Sequence, residues 1–309
     1  MKLFRPGLSA LLMLSGIGLW AANAQASTAH TAMTVHFPVR VQTANGIVTI
    51  KTQPKSIVSL SASATEMLFA IGAGSQVRAV DKYSNYPPKA PITNLDGFSV
   101  SAEALTKYKP DLVIVSYEPA SFKAQMAKLR IPVIYDPAAP SLAVAYQQYL
   151  GLGRATGHLQ GAITEVKRLK SSIASIVSST PRAAAGTTYY WELDPTYYSV
   201  TSSTFMGQLM SLLGLKSIAD SAGVNTNGGY PQLNSEFILQ ANPTYIFLAD
   251  GKCCQATAQT VGARPGWSTM TAVSGNRILS LDDDIASRWG PRIVTLLKQV
   301  ATFLKSQQG

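Results

Sequence analysis

Two stretches of the chain repeat the same order of residue types at a constant spacing of 133 residues. Each copy has a polar residue, a glutamate two residues later, a proline and an apolar run: Ser101, Glu103, Pro110 and 113–115 in the first copy, and Asn234, Glu236, Pro243 and 246–248 in the second. A weaker correspondence at 142 residues relates Val58, Ser61, Leu68 and Gly72 to Val200, Ser203, Met210 and Gly214. Because both copies carry the same helix and strand signals, the sequence predicts two related lobes.

Short apolar runs alternate with helical patterns from residue 56 onward. The pattern predicts strands at 56–60, 77–80, 111–115, 131–135, 187–191, 244–248 and 277–281. It predicts helices at 61–71, 141–155, 203–213 and 291–305, with a capping box of Ser63 and Glu66 in the first of them. Residues 27–45 lack periodicity and indicate a mobile arm followed by a first strand. This alternation is typical of an α/β fold with parallel sheets covered by helices.

One amphipathic helix is long enough to join the lobes. Its apolar residues keep helical spacing at Leu159, Ile163, Val166, Leu169, Ile173 and Ile176. A helix of ~20 residues spans ~30 Å. We therefore expect an N-terminal lobe at 27–157, an inter-lobe helix at 158–180 and a C-terminal lobe at 181–309. Such chains bind ligands in the crevice between lobes, at the carboxyl ends of strands.

The first 26 residues have the pattern of a secretory signal. Lys2 and Arg5 precede an apolar run at 8–20, which is followed by small residues at 21–26. The run is shorter than the ~20 residues that span a bilayer. Cleavage is expected after Ala26, with Ala24 as the alternative site and an uncleaved anchor as the alternative role. No cysteine for lipid attachment lies nearby, so the sequence predicts a periplasmic or secreted protein of net charge +8, against +10 for the whole chain.

The composition and motifs disfavour several functional classes. The positive charge is compatible with an anionic ligand, a membrane surface or a basic surface without a specific partner, while export and the lack of basic runs argue against nucleic acid. The sequence has neither a G-x-S-x-G elbow nor a Walker A motif, and Gly151-x-Gly153 falls in a helical stretch. None of the three histidines pairs with a plausible nucleophile. A binding protein is therefore favoured over an enzyme.

Aromatic and polar residues gather at the predicted strand ends, as in Tyr83, Tyr117, Trp191, Tyr197 and Tyr230. Aromatic walls with a few polar groups suit a large, ring-rich ligand. Some of these residues are expected to be core or surface positions instead, and about half of the set is expected to touch the ligand. Lys252 and Arg288 are candidates to pair with anionic groups of the ligand.

Glu103 and Glu236 occupy equivalent places in the repeat, each two residues after a candidate N-cap, Ser101 or Asn234. One interpretation is helix-dipole stabilisation of ~0.3–1 kcal/mol per glutamate. The other is a matched pair of acidic contacts, one on each lobe, that docks on a partner. The residues alone leave both open.

Cys253 and Cys254 are the only cysteines of the chain. In an exported protein they are expected to form a vicinal disulfide or to remain two thiols at the rim of the cleft. Further histidine or cysteine ligands for a metal are lacking. The acidic run 282–284 lacks the spacing of a calcium loop, so a solvated turn is expected there.

Six segments, in this order and spacing, resemble the class III periplasmic substrate-binding proteins, which feed ABC importers of ferric siderophores, haem and cobalamin: 54–60, 64–68, 72–74, 83–88, 109–114 and 288–292. The resemblance covers about residues 46–305. It implies two Rossmann-like lobes joined by one long helix, with limited hinge motion. It also implies that Glu103 and Glu236 dock on arginines of a permease.

The cobalamin-binding members of this family suggest ligand contacts at particular positions. Aromatic positions of these members match Tyr83, Tyr117, Trp191, Tyr197 and Tyr230, and an aspartate matches Asp284. Two features depart from the family pattern. A tryptophan expected shortly before Gly97 is replaced by Leu95-Asp96, and the adjacent Cys253-Cys254 pair replaces a well-separated disulfide. The shortage of histidine argues against the related zinc and manganese binders.

Together these features predict an exported, monomeric solute-binding protein without a cofactor of its own. Its ligand would be a ferric siderophore, favoured by the basic charge, or a cobalamin-type corrinoid, favoured by the aromatic matches. Its partner would be the ABC permease of a metal-chelate importer. The alternatives are a surface receptor or signalling module without transport, and a chelate-processing enzyme.

Overall fold

A computed structural model describes residues 34–99, 101–222 and 227–307. Its N-terminal lobe begins with an antiparallel hairpin of β1 (Val39–Thr43) and β2 (Gly46–Ile50). Four parallel strands follow, in the sheet order β4-β3-β5-β6: β3 (Ile57–Leu60), β4 (Val77–Val80), β5 (Leu112–Val115) and β6 (Val133–Tyr135). The helices of this half are α1 (Ala62–Ala70), α2 (Ala102–Thr106), α3 (Ala120–Lys128), α4 (Leu142–Thr156) and α5 (Leu159–Ser178).

The C-terminal lobe repeats this topology. Its parallel sheet has the order β10-β9-β7-β8, with β7 (Thr188–Glu192), β8 (Lys216–Ser217), β9 (Tyr245–Leu248) and β10 (Ile278–Ser280). The helices are α6 (Phe205–Leu212), α7 (Ser235–Ala241), α8 (Gly251–Cys254), α9 (Ala258–Gly262), α10 (Thr271–Ser274), α11 (Asp283–Ala286) and α12 (Ile293–Ser306). Two lobes with the same strand order confirm the predicted fold class.

The stronger repeat corresponds to equivalent strands. β5 and β9 begin and end 133 residues apart, and every residue in both strands is buried. The weaker repeat holds at Gly72 and Gly214, which follow α1 and α6 with φ of +95° and +86°. A residue with a Cβ is strained at such angles, which accounts for glycine at both helix ends. The weaker repeat fails at Val58, because its counterpart Val200 lies outside the strands.

Two of the helix caps predicted from the sequence are confirmed, and a third prediction is wrong. Ser101 and Asn234 cap α2 and α7, each accepting from the amide three residues on. The capping box predicted from Ser63 and Glu66 is wrong, because Ser61 caps α1 and accepts from the amide of Ala64. Ser63 and Glu66 instead face the C-terminal lobe.

The long helix α5 lies where an amphipathic helix was predicted, and its apolar face packs on α4 and α12. The predicted signal peptide lies outside the described residues. Within those residues, none of the helices combines the length and apolarity that a membrane crossing requires. The hairpin strand β2 was missed by sequence reasoning, because its residues are mostly exposed and lack clear alternation.

Candidate functional site

A cavity of about 430 Å³ lies between the two lobes. On the N-terminal side, residues that directly follow three neighbouring strands contribute to its wall: Ser61 after β3, Asp81 after β4 and Ser116 after β5. On the C-terminal side, the wall comes from Asp284 in α11 and from Ser287, Arg288 and Trp289 after it. Parallel strands end at the same edge of a sheet, so this is the place where an open α/β sheet binds ligands.

Three exposed aromatic rings form one continuous face at the N-terminal side of the cleft. The ring centroid of Phe98 lies 5.8 Å from that of Tyr83 and 6.0 Å from that of Tyr117. The three residues are 62%, 43% and 48% exposed, respectively. Large aromatic side chains left this open are unusual for a water-facing surface, and a contiguous apolar patch commonly marks a binding site. We call Tyr83, Phe98 and Tyr117 the aromatic wall.

Trp289 lines the cleft from the C-terminal lobe and is held by two hydrogen bonds to the N-terminal lobe. Its indole Nε1 donates to Oε1 of Gln148 at 2.7 Å, and its backbone N–H donates to Oγ of Ser63 at 3.3 Å. The indole is therefore fixed in the cleft wall, because both its ring and its backbone are anchored across the lobe boundary.

Arg288 is surrounded by acceptors from both lobes. Its Nη1 donates to Oε1 of Glu66 at 3.1 Å and to Oδ1 of Asn85 at 2.9 Å. Its Nη2 donates to the carbonyl of Tyr83 and to Oδ1 of Asp284, both at 2.8 Å. Arg288 is buried. Its positive charge is therefore compensated by protein carboxylates, and its pairing with an anionic ligand stays a prediction.

Glu66 also binds a second arginine of the C-terminal lobe. Arg292 approaches the fully buried carboxylate with Nη2 at 2.6 Å and Nε at 3.1 Å, and its guanidinium lies 4.3 Å from the ring centroid of Tyr86. A Cβ at Gly290 would lie 2.8 Å from Oε2 of Glu66. The Arg-Trp-Gly-Pro-Arg segment at 288–292 thus holds the lobes together, with glycine where the glutamate comes close.

Lys252, Asp282 and Asp284 form a polar cluster on the C-terminal side of the cleft, which we call the cleft rim. Nζ of the exposed Lys252 lies 2.7 Å from Asp282 and 2.8 Å from Asp284, and both contacts raise the lysine pKa. Burial would raise the pKa of Asp284, but hydrogen bonds from Lys252 and Asn85 and the charge of Arg288 outweigh it and hold that pKa below its usual value. Lys252, like Arg288, is therefore already paired with carboxylates of the protein.

Trp191 is placed in the core and not in the cleft. It lies within β7, has no exposed surface and packs edge-on against Phe247 at 5.9 Å. The prediction that Trp191 contacts ligand is corrected for a physical reason. Residues inside a parallel strand are covered on both faces, and only those after the strand end reach the crevice.

Four other predicted ligand residues of the C-terminal lobe lie outside the lining of this cavity: Tyr197, Tyr230, Lys252 and Cys253. Tyr197 is half-buried, with its ring 6.0 Å from Trp267 and 5.5 Å from the guanidinium of Arg264. Tyr230 is half-buried against the core. The structure thus brings together Tyr83, Asp284 and Arg288 in the lining, with Tyr117 beside them.

A buried acidic pair lies behind the C-terminal strand ends. Glu192 ends β7 and binds Arg264 through two contacts of 2.6 and 2.7 Å. Asp250 follows β9 and is fully buried, and neither of its carboxylate oxygens has a hydrogen-bond partner within the described residues. Burial, followed by repulsion from Glu192, raises the pKa of Asp250 from 3.8 to about 7.

Cys253 and Cys254 form a vicinal disulfide on α8, and both residues are exposed. Glu103 and Glu236 are exposed in the first turns of α2 and α7. Across the described part of the chain, neither glutamate takes part in an ion pair. Both glutamates are therefore available to an external partner.

Sequence reasoning missed Phe98 as a cleft residue and Glu66 as the inter-lobe anchor. Phe98 was missed because the aromatic of the family pattern, a tryptophan, was expected shortly before Gly97, whereas Phe98 stands directly after that glycine. Trp289 lies in the segment 288–292 that carried the resemblance. Glu66 lies in the segment 64–68 that also carried the resemblance, but its inter-lobe role gave no signal, since its partners are more than 220 residues away in the sequence.

The fold and this cleft are those of a two-lobed solute-binding protein. The sequence profile of the family described as periplasmic binding protein matches residues 57–285. The chain belongs to this family of periplasmic binding proteins.

Relatives and solved structures agree with this assignment. An uncharacterized ABC transporter substrate-binding lipoprotein of Bacillus subtilis is 31% identical over 95% of this chain and 93% of its own length. A vitamin B12-binding protein of Pectobacterium carotovorum is 26% identical over 81% of this chain and 88% of its own. The crystal structure of a possible iron-binding periplasmic solute-binding protein of Staphylococcus epidermidis superposes with a TM-score of 0.67, at 26% identity, over 82% of this chain and 99% of that one.

Proposed function

We propose that this protein is exported, captures a bulky ring-rich metal chelate of the corrinoid type in the inter-lobe cleft, and delivers it to an ABC permease. The observation that carries the proposal is the aromatic wall, which faces a cleft whose cations are already paired. Stacking on aromatic faces is an interaction that a large conjugated ring offers and a small polar solute does not.

The charges of the cleft favour a corrinoid over an anionic ferric siderophore. The acidic and basic residues of the lining are Asp81, Asp284 and Arg288, so carboxylates outnumber cations. Arg288 is bound by Glu66 and Asp284, and Lys252 at the rim is bound by Asp282 and Asp284. A polyanionic chelate would meet no uncompensated cation in this lining. A neutral ring system would bind through the aromatic wall and the serine hydroxyls.

The relatives support the same class of ligand. The Pectobacterium relative is named for vitamin B12, and the Bacillus relative is named as a substrate-binding part of an ABC transporter. The first supports a corrinoid, and the second supports a permease as partner. Export to the periplasm agrees with the family and with the signal pattern at residues 1–26, and the Bacillus relative is named as a lipoprotein.

Glu103 and Glu236 are proposed as the contacts with the permease. They occupy equivalent positions of the two lobes, on helices with equivalent caps, and are exposed and unpaired among the described residues. Two carboxylates presented in this way suit two basic recesses of a two-fold symmetric partner.

Isothermal titration of the purified protein with cyanocobalamin, haemin and a ferric catecholate siderophore tests the ligand. Saturable binding of cyanocobalamin at micromolar concentration or tighter, with weaker binding of the siderophore, is expected. Preferred binding of the siderophore would overturn the charge argument. Preferred binding of haemin would support a ring-rich ligand but overturn its assignment as a corrinoid. No binding of any of the three would overturn the proposed ligand class.

Uptake of labelled cyanocobalamin in cells that carry the cognate importer tests docking. The double reversal Glu103→Arg and Glu236→Arg is expected to abolish uptake while leaving ligand affinity unchanged. The neutral pair Glu103→Gln and Glu236→Gln should reduce uptake less, because it removes attraction without adding repulsion. Undiminished uptake by the double reversal would exclude the docking role and favour a receptor without transport.

A further inference from the structure

The vicinal disulfide belongs neither to the lining of the cleft nor to the proposed docking pair, and it lies at the surface beside the cleft rim. Cys253 and Cys254 are the only cysteines of the chain, and both are exposed on α8. External thiols can therefore reach this disulfide, and only this one.

The surroundings of Cys253 accommodate both redox states. Its Sγ lies 3.5 Å from the backbone carbonyl oxygen of Asp250. A disulfide sulfur carries no proton, so this contact is not a hydrogen bond in the oxidised protein. After reduction the same sulfur carries an S–H, which can donate to that carbonyl oxygen at its present distance.

The segment that bears the disulfide is tied directly to the cleft rim. Oδ2 of Asp283 accepts from the backbone N–H groups of Lys252 and Cys253, at 2.8 and 3.0 Å. Nζ of Lys252 binds Asp282 and Asp284, and Asp284 in turn accepts from Nδ2 of Asn85 in the N-terminal lobe at 3.0 Å. A change in the backbone at Cys253 therefore acts on the residues that close the rim.

We propose that Cys253 and Cys254 form a solvent-accessible thiol–disulfide exchange site, and that its redox state sets how firmly Lys252 holds Asp282 and Asp284 at the cleft rim. In the oxidised state the sulfur–sulfur bond restrains the two neighbouring residues of α8. In the reduced state each side chain rotates independently, and the restraint on the amides of Lys252 and Cys253 is lost.

The exchange is balanced when a dithiol is the reductant. One thiolate of the dithiol attacks a sulfur of the Cys253–Cys254 bond and expels the other cysteine as a thiolate. The second thiol of the reagent then releases the first cysteine. The protein gains two electrons and two protons as two thiols, and the reagent is oxidised to its own disulfide.

Counting free thiols under native conditions is the first test. The protein is incubated with or without dithiothreitol, quenched, alkylated with N-ethylmaleimide and weighed by mass spectrometry. We expect no adduct without reductant and two adducts after it. Two adducts without reductant would show that the disulfide is absent, and none after reduction, against two in denatured reduced protein, would show that it is inaccessible. Either result overturns the proposal.

Amide hydrogen exchange tests the link to the rim. Reduction is expected to speed exchange at the amides of Lys252 and Cys253 and in the segment 282–286. The double variant Cys253→Ser and Cys254→Ser should show the fast exchange at all times and no response to dithiothreitol. Lys252→Gln in the oxidised state should speed exchange at 282–286 while leaving the alkylation count unchanged.

Unchanged exchange at 282–286 after full reduction would overturn the coupling to the rim. These measurements use no ligand and no permease, so the inference stands or falls independently of the transport proposal.

Discussion

Glu66 in the N-terminal lobe and Arg292 in the C-terminal lobe form a two-point ion pair, with nitrogen–oxygen distances of 2.6 and 3.1 Å. The carboxylate is fully buried and also accepts from Arg288. One acidic side chain of α1 therefore binds two cations that the other lobe inserts into the boundary, and Asp284 supplies Arg288 with a second carboxylate.

Replacing Glu66 by glutamine is expected to lower the free energy of unfolding by about 3 kcal/mol, because it removes a fully buried carboxylate and leaves the partly buried Arg292 without its counter-charge. Urea unfolding followed by circular dichroism measures the loss. Asp96→Asn is the matched control, since it also replaces a carboxylate by an amide but removes a solvent-exposed ion pair with Lys82, and it should cost much less. Equal losses in the two variants would show that the buried pair has no special weight.

Phe98→Ala is expected to weaken the binding of cyanocobalamin about tenfold, or ~1.4 kcal/mol, because it removes the central ring of the aromatic wall. Calorimetric titration measures the change. Ile92→Ala serves as control, since that side chain is 98% exposed and lies outside the cleft lining. If both variants bind as the wild type does, stacking on Phe98 does not contribute to affinity.

The affinity for cyanocobalamin is expected to change less than about twofold between 0.05 and 0.5 M sodium chloride, because the cleft cations are compensated within the protein and screening has little net charge to act on. The same titration series measures this. A steep loss of affinity with salt would indicate that Lys252 or Arg288 exchanges its protein partner for the ligand.

Asp250 is expected to make stability fall as the pH rises from about 4 to about 7. Its pKa is raised from 3.8 to about 7 in the folded protein, so the folded state binds more protons than the unfolded state within this window. Above this pH window the carboxyl is ionised in both states, and the free energy of unfolding falls no further. Asp250→Asn should flatten the slope and stabilise the protein at pH 8 by about 1–3 kcal/mol, by relieving a buried unpaired group.

Thermal unfolding at a series of pH values checks this. Asp96→Asn is the control, because hydrogen bonds from Lys82 and from the backbone of Phe98 lower the pKa of that exposed carboxyl. Asp96 contributes stability that is present above its usual pKa of 3.8 and is lost only as the pH falls below it, so the slope between pH 4 and 7 should remain in this variant. A wild-type slope retained in Asp250→Asn would exclude Asp250 as its origin.

The elements of the fold followed closely from the sequence, because local patterns determine them. The strand at Val77–Val80 was predicted to the residue, and α5 lies within one or two residues of its predicted ends. The 133-residue repeat located β5 and β9 and both docking-candidate glutamates. These signals are contained in short windows of apolar periodicity and helix caps.

The functional site was predicted less well from the sequence than the fold, since it depends on contacts between distant segments. The charge of Arg288 suggested an anion partner, but its partners Glu66 and Asn85 lie more than 200 residues away. Trp191 matched an aromatic position, yet it ends up within a strand that is covered on both faces. Phe98 is identified as a site residue only by its contacts with Tyr83 and Tyr117, which bring three separate loops into one surface.

The contacts of Glu66, Ser63 and Gln148 with the 288–292 segment also bear on the thermodynamics of capture. They fix the two walls of the cleft relative to each other through contacts within the protein. The entropy lost in bringing the walls together is therefore part of the cost of folding and not of binding. A binding protein that works at low ligand concentration benefits from this preorganisation, because each encounter meets a surface that is already assembled.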